Sequence, residues 1–320
     1  MRLPKKWAVS FMSWEKYLGK VVDMDEELSG YRIIVGGASL DQDLLEPKML
    51  FFKNPETLPR YLLGVEALSE TVWITPSPKE CLYLGDKIQL AAVLTDIAMR
   101  HGWQCPKVVQ VPPQTGKEEF SMIDWKETVA KRTFSCEGKH VILPTDSTLP
   151  DRAFLQNLDA THRHWQKKTH PAVRDLEPVW FLQPFNQDLI NKGNPGHQDD
   201  PLSEEMLESQ QFIEWNCTEI GIELGKRGRD ELLAFAETNL RELIQDVEKN
   251  FADTPFHGSD LRLFARLDIG VFRRKEKYQY YVHEVQPWHG ADWFSGYADN
   301  QASTITATIL ECLEKRIDVL

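Results

Sequence analysis

The sequence predicts a mixed fold of the α/β or α+β class, in which short β-strands alternate with α-helices. The chain has 320 residues, enough for about two domains. Apolar residues make up 42% of it, which is enough for a sizeable buried core. β-rich runs are separated by stretches in which apolar residues recur at helical spacing.

Composition and charge exclude several classes of protein. The chain has 37 basic and 49 acidic residues and a net charge of −12, which opposes binding to nucleic acid or to an anionic membrane. A nucleotide can still bind, because a pocket can be locally basic in an acidic protein. No stretch approaches the ~20 apolar residues that a membrane span needs. The 5 cysteines form no CxxC pair, which fits a reducing compartment and predicts a cytoplasmic protein.

The N-terminal part of the sequence predicts strands and helices in alternation. Runs of β-branched and aromatic residues, bounded by Gly, Pro, Asn or Ser, predict strands at residues 32–35, 49–52 and 71–74. Apolar residues at helical spacing predict helices at residues 59–68 and 87–100. Gly102 is expected to end the second helix.

The remainder continues the mixture of strands and helices. Four further strands are predicted at residues 108–111, 128–132, 139–143 and 179–185. A polar loop at 193–203 is followed by a long amphipathic helix at about 230–251. A pair of strands at 261–272 and 278–285 and a helix from about 302 complete the chain.

The first candidate site lies on the last two predicted strands. Alternation places Arg266 and Asp268 on one face of the first strand, and Glu284 and Gln286 on one face of the second. If the strands are adjacent, two carboxylates and an amide oxygen converge. Such hard oxygen ligands suit Mg²⁺, which takes one or two carboxylates together with phosphates and waters. The alternative is the polar side of an ordinary hairpin.

The second candidate site is Lys131 with the small-residue loop 133–138 that follows it. A lysine at the end of a strand, next to a turn with free backbone N–H groups, can hold phosphate oxygens. The pattern is not a Walker A loop. The alternative is a plain hairpin with an exposed lysine. Lys87, at a predicted helix start, has the same two interpretations. It can hold phosphate, or it is a solvated neighbour of Asp86, which would be the helix cap.

A third pattern combines two histidines with two carboxylates, namely His283, Glu284, His289 and Asp292. This spacing would suit a transition metal. However, strand alternation predicts that His283 points to the opposite face from Glu284. No GxSxG, HExxH or GxGxxG sequence is present, which removes the commonest hydrolase, metalloprotease and dinucleotide-binding interpretations.

Taken in order, four segments resemble the ATP-grasp superfamily of carboxylate–amine ligases. Asp86-Lys87 resembles the start of the family's helix after its N-terminal domain. Residues 129–141 resemble the family's strand, phosphate loop and strand, and residues 180–185 its adenine-binding hinge strand. The R-x-D of 266–268 and the E-x-Q of 284–286 resemble its metal-binding strands. The resemblance spans about residues 70–315.

The resemblance implies an α+β, ATP-grasp-like fold in which two α+β lobes hold a nucleotide. Residues 1–80 would form a small N-terminal α/β domain. Residues 81–185 would form the central lobe, with the phosphate loop and the hinge strand. Residues 186–320 would form the C-terminal lobe, with the metal-binding strands.

The resemblance also implies roles for single residues, with ATP and Mg²⁺ as cofactors. The residues that would contact ATP are Lys87, Lys131, Ser135, Gly138, Gln183 and Phe185. The residues that would hold Mg²⁺ are Asp268, Glu284 and Gln286. Arg266 would be the catalytic residue, facing an acyl phosphate, and a structural ion pair is its alternative.

The implied reaction is the phosphorylation of a carboxylate on a small molecule or peptide, followed by attack of an amine or another nucleophile. Two features depart from the family pattern. Gln286 stands where the family has Asn, and its Gly-Glu-x-Arg strand is missing after Lys192. The alternatives are a small-molecule kinase of the same fold and a nucleotide-binding pseudoenzyme or scaffold without catalysis.

Overall fold

The described part of the chain is a mixed α+β structure with three small β-sheets, so the predicted mixture of helices and strands is confirmed. The computed structural model describes residues 8–38, 40, 57–111, 124, 127–134, 141–142, 179–184, 210–254, 257–263, 265–274, 277–286 and 310–315. The predicted strand at 49–52 and the loop at 193–203 lie outside these residues. Within the described ranges, no helix combines the length and the apolar character that a membrane span requires.

The N-terminal region packs helices beside a two-stranded parallel sheet. Its elements are α1 (Trp14–Val22), a 3-10 helix (Glu26–Gly30), β1 (Ile33–Val35), α2 (Thr57–Ser69) and β2 (Trp73–Thr75). Gly64 lets α2 touch α1, because a Cβ at this position would overlap the carbonyl oxygen of Val21. Tyr17, Val21, Tyr61 and Val65 are buried together at this contact.

A single residue ends α3 (Pro78–Gly85) and begins α4 (Lys87–His101). The Oδ1 atom of Asp86 accepts hydrogen bonds from the backbone N–H groups of Ile88 and Gln89, as an N-cap residue should. Gly102 closes α4 at φ 66°, a left-handed conformation that favours glycine. The predicted helix and its end are therefore confirmed, and Lys87 stands at the first position of α4.

The central sheet is antiparallel, with strand order β3-β6-β4-β5. Its strands are β3 (Val109–Gln110), β4 (Thr128–Arg132), β5 (Val141–Ile142) and β6 (Trp180–Pro184). Val129 lies opposite Gln183, and Lys131 lies opposite Phe181. Side chains two residues apart share one face of a strand, so Lys131 and Gln183 are diagonal neighbours on one face of this sheet.

The C-terminal region consists of the long helix α5 (Gln210–Asn250), a 3-10 helix (Asp260–Arg262) and a hairpin of β7 (Arg266–Arg274) and β8 (Lys277–Gln286). Residues 310–315 are helical. The predicted strand start at residue 261 is wrong, because the Ser259 hydroxyl accepts from the Leu261 N–H and starts the 3-10 turn there. The helix α5 also begins about 20 residues earlier than predicted.

In the described part of the chain, one extensive buried core joins α4, α5 and the β7–β8 hairpin. Its fully or nearly buried members include Leu90, Leu94, Ile97, Leu243, Val247, Val271, Val282 and Val285. Because α4 packs on β8 through this core, the first turn of α4 is held beside the end of β8. This packing positions the site described next.

Candidate functional site

A cleft that is partly open to solvent lies between α4, the central sheet and β8. Its polar lining consists of Lys87, Lys131, Gln183, His283 and Glu284. The remaining lining is mainly apolar and comes from α4, the segment that follows α4, and the strands β6 and β8. A largely apolar cleft with a few convergent polar groups is the usual form of a small-molecule site.

Lys87 reaches across the cleft from α4 to β8. Its Nζ atom lies 2.7 Å from Oε1 of Glu284, and both side chains are about one-fifth exposed, at 20% and 23%. The structure therefore does not place Lys87 as a solvated neighbour of the helix cap. The ion pair joins two groups that are far apart in sequence, which only the packing of α4 on β8 brings together.

Lys131 is the central cation of the cleft. Its Nζ atom lies 2.6 Å from Nε2 of His283. The surrounding protein removes water from the ammonium and lowers the pKa of Lys131 to about 8. Lys87 lowers it further by charge repulsion, while Glu284 and Asp268 oppose the shift. Two ammonium groups are thus close enough to repel each other.

The prediction that His283 points away from Glu284 is wrong, and a β-bulge is the reason. Asp268 lies opposite Glu284 and Ile269 lies opposite Val282, so His283 is an extra residue on β8. A bulge interrupts the strict alternation of a strand and re-aims the side chain at the extra position. His283 and its neighbour Glu284 consequently line the same cleft.

His283 is an uncharged ring in this setting. The residue is exposed at the surface of the cleft, but nearby protein atoms remove part of its water and disfavour the cation. Together with the nearby charge of Lys131, this lowers the pKa of His283 to about 3. Nδ1 of the ring lies 3.4 Å from the side-chain amide of Gln183. The ring therefore contacts both Lys131 and Gln183, a link that no spacing in the sequence indicated.

The two C-terminal strands are adjacent, which is the condition under which the sequence predicts that their carboxylates converge. Asp268 pairs directly with Glu284, and Arg266 pairs with Gln286. Arg266 forms the ion pair given as one alternative: its Nε and one terminal nitrogen donate to the Asp268 carboxylate at 2.9 and 3.0 Å. Gln286 stands two residues beyond Glu284, on the same face of β8.

The two carboxylates differ electrostatically. Burial raises the pKa of Asp268 and outweighs the opposing effect of Arg266. Burial acts in the same direction on Glu284, but Lys87 and Lys131 outweigh it and lower the pKa of that carboxyl below its ordinary value. Glu284 is therefore ionised at neutral pH, with two lysines near it.

The donor set suits a hard divalent cation better than a transition metal. No group of three or more His, Cys, Asp and Glu side chains in the described part of the chain is placed to hold a metal ion. Carboxylate and amide oxygens are the ligand types that Mg²⁺ prefers, and Asp268 lies opposite Glu284 with Gln286 on the same face of β8. Arg266 and Lys87 now pair with these carboxylates, so a cation would have to displace them from at least some oxygens.

Several predicted site residues lie outside the described residues, namely Ser135, Gly138, Phe185, His289 and Asp292. The structure brings Lys87, Lys131, Gln183 and Glu284 together in the cleft. Asp268 lies beside them, within electrostatic reach of Lys87, Lys131 and Glu284. No protein-family model, curated protein or solved structure matches this chain.

Proposed function

We propose that the protein is an ATP- and Mg²⁺-dependent ligase of the ATP-grasp type. It would activate a carboxylate of a small molecule or peptide as an acyl phosphate, which an amine or another nucleophile then attacks. One observation carries the proposal: Lys87, Lys131 and Glu284 come from three separate elements and meet in one cleft, with Asp268 beside Glu284. Two lobes of the ATP-grasp type would then enclose the nucleotide.

The lysine pair supports the binding of a polyphosphate. Lys87 and Lys131 repel each other in a site that is partly withdrawn from water. An anion placed between them would remove this repulsion and satisfy both ammonium groups, which act as point charges toward phosphate.

The apolar part of the cleft supports the binding of a base. Leu90 and Leu94 on α4 line it together with Phe181 and Val282. A flat heterocycle between such walls would bury apolar surface, which contributes roughly 25 cal/mol for each Å² removed from water. Gln183, buried at 8% exposure, offers an amide at the edge of this space.

Asp268, Glu284 and Gln286 would hold Mg²⁺ with the ATP phosphates. Bound there, Mg²⁺ would supply electrostatic stabilisation of the charge that develops on the transferring phosphoryl group. Lys87 is paired with Glu284 before ATP enters and would turn to the phosphates as that pair opens. Arg266 donates to both oxygens of Asp268 before ATP enters, and its guanidinium would turn to the acyl phosphate as Mg²⁺ takes one of these oxygens.

The chemical steps conserve atoms and charge without a residue acting as nucleophile. A carboxylate oxygen of the substrate bonds to the terminal phosphorus of ATP, and ADP leaves. The amine then attacks the acyl carbon, inorganic phosphate leaves, and the amine loses a proton to solvent. The protein contributes position and electrostatics, which are the main sources of catalysis in phosphoryl transfer.

Thermal unfolding with and without Mg²⁺-ATP tests the proposal on the wild type and on Lys131→Ala. At 100 times Kd, binding adds about 2.7 kcal/mol and raises the midpoint by several degrees. We expect a shift in the wild type that Lys131→Ala loses. The control is Lys79→Ala, since Lys79 pairs with Glu66 outside the cleft. An unchanged midpoint in the wild type would contradict the proposal.

An assay of product release then separates ligase from kinase. A ligase releases phosphate from ATP only when both a carboxylate and a nucleophile are supplied, whereas a hydroxyl kinase releases ADP and keeps the phosphate on its product. We expect phosphate release that depends on an added amine. Nucleotide binding without any turnover would identify a pseudoenzyme.

A further inference from the structure

The bulge on β8 inserts an imidazole between two groups of the central sheet. Lys131 on β4 and Gln183 on β6 are diagonal neighbours on one face of that sheet. His283 comes from a different sheet and contacts both, with Nε2 at 2.6 Å from Lys131 and Nδ1 at 3.4 Å from Gln183. Without the extra residue, strict alternation would point position 283 away from the cleft.

The chemistry of the three groups determines the direction of the hydrogen bonds. A lysine ammonium has only donors, so Nε2 of His283 is the acceptor and the neutral ring carries its proton on Nδ1. Nδ1 therefore donates, and Gln183 must present an acceptor to it. A half-turn of the Gln183 amide brings its oxygen to the 3.4 Å contact in place of its nitrogen, and this oxygen is the acceptor that Nδ1–H requires. Its N–H₂ group is then free to donate elsewhere.

We propose that His283 is a positioning residue that joins Lys131 and Gln183 in one hydrogen-bonded chain and thereby couples recognition of the phosphates to recognition of the base. The proposal rests on the proposed function, in which Lys131 contacts the phosphates and Gln183 contacts the base. It predicts that neither the phosphates nor the base of a nucleotide binds well alone, because the hydrogen-bonded chain fixes the side chains of Lys131 and Gln183 together. Such groups show energetic coupling that independent contacts lack.

The test is a set of double-mutant cycles, read as the Kd of Mg²⁺-ATP by calorimetry. We expect His283→Ala to weaken ATP binding about tenfold. Lys131→Ala and Gln183→Ala should each raise this Kd. The increase that each of them causes should be about fivefold smaller in the His283→Ala background than in the wild type. If the wild type binds ATP and the losses of binding free energy in the single variants add up to the loss in each double variant, the proposal is overturned. His283 would then act independently of both partners.

Two conservative variants separate the two contacts. Glutamine at 283 can reach the position of Nε2 and keep an acceptor for Lys131, whereas asparagine can occupy the position of Nδ1 and keep a donor for Gln183. In the His283→Gln background, we expect Lys131→Ala to raise the Kd of Mg²⁺-ATP as much as it does in the wild type. In the His283→Asn background, we expect the same of Gln183→Ala. Equal behaviour of the alanine, glutamine and asparagine variants would contradict a chain and leave only a packing role.

A measurement without nucleotide keeps this inference separate from the proposed function. Nitrogen NMR shifts of the His283 ring report which nitrogen is protonated. We expect the proton on Nδ1 in the wild type and its partial transfer to Nε2 in Lys131→Ala, and a proton on Nε2 in the wild type would overturn the chain. If the chain is present but the wild type binds no ATP, the proposed function fails and the coupling role fails with it.

Discussion

Glu80 on α3 accepts a 2.7 Å hydrogen bond from the backbone N–H of Asp260, which joins the N-terminal helices to the C-terminal region. Glu80 is 1% exposed, and its other oxygen accepts from the hydroxyl of Ser259 at 2.7 Å. Asp260 in turn accepts from the Thr75 hydroxyl at 2.8 Å and from the backbone N–H of Ser77. Burial, and then the charge of Asp260, raise the pKa of Glu80 to about 7.

This contact predicts that stability falls as pH rises from about 4.5 to about 7. The folded state holds the Glu80 proton with a pKa of about 7, whereas the ordinary value is 4.5. The folded state therefore binds more protons than the unfolded state between these two pH values. The contribution of the protonated Glu80 carboxyl to stability is complete below pH 4.5 and is lost as pH rises through 7. Urea unfolding at several pH values measures the effect. Glu80→Gln should remove this part of the pH dependence, and Glu66→Gln, at an exposed glutamate, should keep it.

The Lys87–Glu284 ion pair predicts how Mg²⁺ affects ATP binding. Glu284→Gln should strengthen ATP binding in EDTA, because a negative charge leaves the neighbourhood of the phosphates and Lys87 is released. Mg²⁺ should increase the affinity of the wild type for ATP, and the same variant should lose most of this increase. The loss should be about tenfold in Kd if one charged ligand contact is removed. Calorimetric titrations with and without Mg²⁺ provide both values. Glu242→Gln is the control, since Glu242 pairs with Arg100. A variant with the wild-type response to Mg²⁺ would show that Glu284 is not a metal ligand.

The depressed pKa of Lys131 predicts a pH-dependent affinity for ATP. Because its pKa is about 8 in the free protein, the ammonium is lost as pH rises through this value, and attraction to phosphate is lost with it. The Kd of ATP should increase between pH 7 and pH 9. Lys131→Arg keeps its charge over the whole range, so its affinity should be nearly independent of pH. An equal pH response in the two proteins would assign the effect to another group.

The helix contact at Gly64 predicts a large difference between two glycine substitutions. Gly64→Ala would place a Cβ in overlap with the carbonyl oxygen of Val21, so the helices must separate at a cost of about 1–3 kcal/mol. A Cβ added at Gly19 in α1 would meet no atom within 4 Å, so Gly19→Ala should stabilise the helix by up to about 1 kcal/mol. Denaturant unfolding compares the two variants. Equal effects would mean that α1 and α2 are not in close contact.

Local features of the candidate site could be predicted from the sequence. Asp86 and Gly102 predicted the limits of α4, because caps act on the helix they end. Alternation predicted that Asp268 shares a face of its strand with Arg266, and Glu284 with Gln286, because alternation is a property of each strand. Where a local rule failed, as at residue 261, another local interaction had replaced it, namely the capping hydroxyl of Ser259.

The role of His283 could not be predicted in this way. Its place in the cleft depends on one extra residue in the pairing of β7 with β8, which no period in the sequence reveals. Its contact with Lys131 spans 152 residues and two sheets. The same holds for the pairing of Lys87 with Glu284, which follows from the packing of α4 on β8.

By itself, then, the sequence determined the elements of this protein and which side chains share a face within each of them, because caps, turns and alternation act over a few residues. Only the tertiary structure decided which faces meet. The Lys131–His283–Gln183 chain and the Lys87–Glu284 pair depend on buried contacts between distant segments and on a bulge that changes the register, and these form only when the whole core packs.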